Sequence, residues 1–195
     1  MGLETNGKMV LSVYKPTLKE KIFFLLAGLL VSVPFTVFFS DFSNSLCDFM
    51  PFLYAQFCSI VLLAPFIEEF AKVFPLLYRH GENERSIMNL GILTGLGFGI
   101  TEFVLYTFVL GAPFFSRLPG IVFHSASTGI TTYGIIKKQP FRFYFFSAIL
   151  HSINNLVSIF STSIQLLISV SIINLVLTYY CAWNFYNKTS EKIIV

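Results

Sequence analysis

Charge is what this chain has least of: Asp, Glu, Lys and Arg make up 12% of its 195 residues, against 55% hydrophobic residues. A soluble domain of this length cannot hide so much apolar surface, and the mean hydropathy of +0.73 excludes that class. Cysteine is sparse as well. Cys47, Cys58 and Cys181 are odd in number and scattered, which predicts neither a disulfide framework nor a metal cluster. Low-complexity tracts, internal repeats and linkers are lacking, so a single membrane-embedded domain over 1–195 is expected. The start, Met-Gly-Leu-Glu-Thr-Asn, lacks the Ser or Thr at position 6 that N-myristoylation uses. A net charge of +3 asks for no nucleic-acid partner, because topology accounts for the basic residues.

What the chain does have is long apolar runs. Six are long enough to span a bilayer, at 22–39, 51–78, 87–110, 119–136, 141–160 and 164–186. They predict an all-α, polytopic bundle of about six transmembrane helices in a cell membrane. The second run exceeds one upright span and is expected to tilt, protrude or bend near Pro65. Of 13 Lys and Arg, one (Lys72) lies within a run, 11 fall on one set of alternate flanks, and only Arg117 falls on the other. The positive-inside rule then places both termini in the cytoplasm.

Against this apolar background stand six ionisable side chains inside the runs: Glu68, Glu69, Lys72, Glu102, His124 and His151. A charged residue at mid-membrane costs about 2.5–3.5 kcal/mol on insertion scales, so these groups are expected to face one another. Counted from the cytoplasmic ends at ~1.5 Å per residue, Glu68 and His151 lie ~15 Å deep, His124 ~18 Å and Glu102 ~22 Å. In a hydrocarbon core of ~30 Å that is nearly one layer.

Lys72 is one turn from both Glu69 and Glu68 and can pair strongly with only one. That pair would lock helix packing, leaving the other carboxyl as a candidate acid or base. Glu102 has no basic neighbour within a turn and follows the stripe Gly91, Gly95, Gly99, which lets another helix approach closely. His124, Thr128 and Thr132 make a polar stripe on the fourth run, and Ser147, His151 and Asn155 one on the fifth. The stripes are expected to line a shared cavity. His151 with Asn155 suits an oxyanion site. For His124 a catalytic role, metal ligation and a structural partnership with Glu102 all stay open.

Glu-Glu-x-x-Lys at 68–72, Phe-x-x-x-Glu at 98–102, His124 and His-x-x-x-Asn at 151–155 together resemble the PrsW family of intramembrane proteases. That family is grouped with the type II CAAX-processing and bacteriocin-immunity proteases in a glutamic clan. The likeness covers the four inner helices, with the motif-bearing core at about 51–160. It implies peptide-bond hydrolysis of membrane-anchored proteins, regulators such as anti-sigma factors among them. Carried across, Glu68 activates water, Glu102 assists, His151 and Asn155 face the oxyanion, and Glu69 with Lys72 forms a supporting pair. Glu102 stands where the CAAX branch has His, which leaves open how Glu68 and Glu102 divide the work. No cofactor is implied.

Two rivals use the same cavity. A zinc metalloprotease could draw on two Glu and two His, although the chain has no His-Glu-x-x-His helix. A proton-coupled transporter or scaffold could use the acids and imidazoles as a relay, although such folds commonly show repeats.

Overall fold

Backbone amides have no partner in hydrocarbon except one another, and this chain answers with helices almost throughout. The computed structural model describes residues 4–5, 8–9, 15–78, 83–160 and 164–191. Ahead of the bundle, Glu4–Thr5 and Lys8–Met9 pair as a two-residue antiparallel ladder. Six helical rods follow among the described residues. They are α1 (Leu18–Cys47), α2 (52–78), α3 (Glu84–Val109), α4 (Phe114–Ile136), α5 (Pro140–Phe160) and α6 (Ile164–Asn187). Among the described residues, three helices are long and apolar enough to cross a membrane: Leu18–Cys47, Glu84–Val109 and Ile168–Asn187.

Local chemistry moves several boundaries from where hydropathy places them. α1 starts at Leu18 because Thr17 and Glu20 form a reciprocal capping box. α4 starts at Phe114, so Pro119 lies inside it and Arg117, expected in a loop, sits on the helix over the Tyr106 ring. Near Pro65 the helix departs from α geometry as a π-helical stretch, Phe57–Leu63, which ends two residues before that proline.

The cysteine expectation is overturned. Cys47 and Cys58 are joined as a disulfide, and Cys181 is left free. The chain reverses between α1 and α2, bringing the two Cα atoms to 6.0 Å, inside the range a disulfide spans. An odd count concealed a pair that only the hairpin brings together.

α4 is the hub of the bundle and packs against α2, α3, α5 and α6. The glycine stripe of α3 lies on it, with Gly91 against Thr132, Gly95 against Thr128 and the His124 carbonyl, and Gly99 against Ile121. Thr128 and Thr132 donate to the carbonyls of His124 and Thr128 (both 2.7 Å) and sit in this seam. That corrects one expectation: only the His124 end of the stripe is turned to the acids, and its threonines serve helix contact. A Cβ at Gly95 would stand 2.5 Å from the His124 carbonyl oxygen, which is backbone and cannot yield. Gly95→Val is therefore expected to destabilise the bundle by at least about 1–3 kcal/mol in a detergent melt. An unchanged melt would remove the seam from this account.

Lys15 and Glu191 form an ion pair at 3.2 Å, so the segment leading into α1 and the one leaving α6 meet at one end of the bundle. α1 and α6 carry apolar side chains outward, among them Phe38 at 70% exposure and Ile173 at 66%.

Candidate active site

Glu69 is the centre of the polar cluster, and burial explains why it needs so many partners. Its side chain and that of Lys72 are fully buried, one turn apart on α2, with Lys72 Nζ donating to Glu69 Oε1 at 2.6 Å. Ser127 Oγ on α4 donates to the same oxygen at 3.1 Å, and Ser147 Oγ on α5 donates to Oε2 at 2.9 Å. His151 Nδ1 adds a fourth contact at 3.0 Å. A carboxylate surrounded by donors from three helices meets the desolvation cost of a buried charge and ties those helices together. The Glu–Lys pair expected from spacing is thus present, as part of a larger network.

The network sets the histidine tautomers. A carboxylate only accepts, so His151 carries its proton on Nδ1 towards Glu69 and turns Nε2 to Glu68 Oε2, 3.5 Å away. Glu68 Oε2 is buried and makes no hydrogen bond among the described residues. On the other side, the Lys72 ammonium points at His124 Nδ1 from 2.8 Å, which makes that nitrogen an acceptor. The proton of His124 therefore sits on Nε2, which meets Glu102 Oε2. The two imidazole rings lie edge to face with centroids 5.3 Å apart.

Glu68, Glu69, Lys72, Glu102, His124 and His151 accordingly form one continuous cluster drawn from α2, α3, α4 and α5. Glu68 and Glu102, whose division of work the resemblance leaves open, each meet an imidazole. Burial divides the acids by role. Glu69 is closed off, whereas the side chains of Glu68 and Glu102 keep 14% and 25% of their exposure and can be reached from outside the cluster. Asn155 lies one turn beyond His151, but its amide nitrogen donates to the Ile60 carbonyl at 3.0 Å.

Sequence reading missed Ser127 as a holder of Glu69. The available signal was its position three residues after His124 on the buried face of α4. It also missed Tyr144, whose hydroxyl donates to the Phe66 carbonyl at 2.7 Å and fastens α5 to α2 just past Pro65.

A buried layer of acids, amine and imidazoles inside an apolar helix bundle defines a membrane-embedded hydrolase more readily than a carrier. Residues 18–182 match the family model described as PrsW family intramembrane metalloprotease, and the chain belongs to that family. No curated protein and no solved structure matches the chain. It is an intramembrane protease, an enzyme acting on peptide bonds, and the transporter and scaffold readings fall away.

The family description brings a metal into question, and the donor set can be tested against it. Glu68, His124 and His151 each offer one ligand atom, all within 4.8 Å of one another. Two of them suit zinc. The 3.5 Å between Glu68 Oε2 and His151 Nε2 is close to the separation of two ligands held at about 2.0–2.1 Å in a tetrahedron. The carboxylate behind His151 Nδ1 also resembles the support that metal-bound imidazoles receive. The third donor does not suit it. His124 has its lone pair on Nδ1 against the Lys72 ammonium and its Nε2 against Glu102, so neither nitrogen is open to a metal ion. Catalytic zinc sites use three protein ligands, and this arrangement supplies two.

Proposed function

We propose that this chain is an endopeptidase that cuts membrane-anchored proteins within the bilayer, with Glu68 as the base that activates water. The observation that carries the proposal is the pairing of a buried Glu68 oxygen, without a hydrogen bond among the described residues, and an imidazole nitrogen fixed towards it by Glu69. A group left unsatisfied in a buried site holds free energy that a reacting water or substrate can release.

The sequence of proton moves follows from the geometry. Glu68 takes a proton as water adds to the scissile carbonyl. His151 Nε2, in reach of Glu68, then carries that proton to the leaving amine. Glu69 stabilises the imidazolium formed on the way, as the orienting acid of a triad does. Glu102, held by His124, borders the same space and is the second acid of the site.

Net charge supports the proton-based version. Three carboxylates and one ammonium leave the cluster at −2 if both imidazoles are neutral. In an apolar bundle that charge favours uptake of protons or of a divalent cation. A proton on the Glu102–His124 pair brings the cluster to −1 with every contact described above intact, and leaves Glu68 ionised, as a base must be. The second reading, zinc held by Glu68, His151 and His124, is favoured by the proximity of those three donors. It requires His124 to give up Lys72.

Purified enzyme is therefore expected to carry no stoichiometric transition metal and to keep cutting a membrane-anchored substrate after prolonged chelation. One equivalent of zinc by elemental analysis, with activity lost on chelation and regained on adding metal, would establish the second reading.

The same reading has six spans in a cell membrane with both termini cytoplasmic. Two independent features support it. The basic residues fall on alternate flanks, and the Cys47–Cys58 disulfide lies at the end of α1 opposite Lys15, where an oxidising exterior would keep it formed.

A further inference from the structure

We propose that Asn155 is a positioning residue, and that its partner is a carbonyl that Pro65 leaves without a backbone donor. Over Phe57–Leu63 the helix is wound in π register, in which an N–H reaches the carbonyl five residues back, and the Ala64 N–H accordingly bonds the Ser59 carbonyl. The next residue in that register is Pro65, which has no N–H, and the carbonyl it would have served belongs to Ile60. Asn155 Nδ2 donates to that same oxygen at 3.0 Å. In a bilayer a bare carbonyl is costly, so the side chain completes a helix that its own backbone cannot complete.

The position of this bond gives it a consequence for catalysis, and here the inference rests on the protease reading above. Asn155 stands one turn from His151 on α5, and Pro65 stands one turn from Glu68 and Glu69 on α2. The bond clamps α5 to α2 next to the place where His151 Nε2 must meet Glu68 Oε2. Asn155 thus acts on the reaction through the placement of two other residues, with its amide nitrogen donating to the Ile60 carbonyl. Tyr144, bonded to the Phe66 carbonyl on the far side of Pro65, closes the clamp from the other end.

The test is a pair of substitutions whose effects depend on each other. Asn155→Ala is expected to lower the detergent melting temperature by about 2–8 °C. It should also reduce kcat by about 10–100-fold with little change in KM, because misplacement affects the chemical step more than binding. Pro65→Ala supplies the missing N–H to Ile60 and should leave activity near its starting value. Combined with Asn155→Ala, it should restore both the melting temperature and most of kcat.

A double variant that melts normally but stays as slow as Asn155→Ala would show that the amide works on substrate directly, and would overturn the proposal. A double variant that recovers neither property would show that the Ile60 carbonyl is not what Asn155 is there to meet. If the unmodified enzyme cuts no membrane-anchored substrate, the protease reading fails separately. The melting temperatures alone then decide whether Asn155 and Pro65 are coupled.

Discussion

Glu68→Gln is expected to slow cleavage of a membrane-anchored substrate by about 10²–10⁴-fold or more while leaving the melting temperature nearly unchanged. The two halves of this expectation come from different facts. Gln keeps the volume of Glu but cannot accept a proton from water, so the chemical step loses its base. Stability is spared because Glu68 Oε2 makes no hydrogen bond among the described residues, and the side chain keeps 14% exposure. Single-turnover cleavage in nanodiscs, run beside thermal melts, separates the effects. Unimpaired cleavage by Glu68→Gln would remove it from the role of base and pass that role to Glu102, the other acid open to the cluster surface.

Breaking the Glu69–Lys72 pair is expected to do the reverse, striking stability first. Lys72→Ala leaves a carboxylate with zero exposure facing Ser127, Ser147 and His151 without its ammonium, and Glu69→Ala leaves the ammonium stranded. Removing one partner of a buried pair costs about 3–5 kcal/mol. The double variant Glu69→Leu with Lys72→Met buries no charge and should recover much of that loss, giving a favourable coupling in a double-mutant cycle. Its activity should stay low, because nothing then holds the proton of His151 on Nδ1. Additive losses in melting temperature would mean that the two groups do not act as a unit. Recovered activity in the double variant would mean that Glu69 has no part in orienting His151.

The members of the cluster were legible in the sequence because the membrane makes them conspicuous. In a soluble protein Glu68, Glu102 and His151 would be three among many charged residues, whereas in these apolar runs each is a costly exception that helical spacing assigns to an inner face. Spacing also predicted that Lys72 would pair with a neighbouring acid, since three- and four-residue separations both lie one turn away. Which acid it would take was decided by α4 and α5, which bring Ser127, Ser147 and His151 to Glu69 and leave Glu68 without them. The Cys47–Cys58 disulfide was misread for a related reason. Eleven residues of separation say nothing about a pairing until a hairpin closes it.

The sequence by itself determined that this protein is a membrane-embedded helix bundle carrying acids and imidazoles at one depth. Those properties follow from composition and from the 3.6-residue period, which act along a single helix. Tertiary structure alone decided which nitrogen of each imidazole carries its proton, which acid is locked and which is open, and that Asn155 serves the backbone beside Pro65. Each of these depends on the direction of a donor on one helix relative to an acceptor on another, and a spacing read along one chain segment contains no such direction.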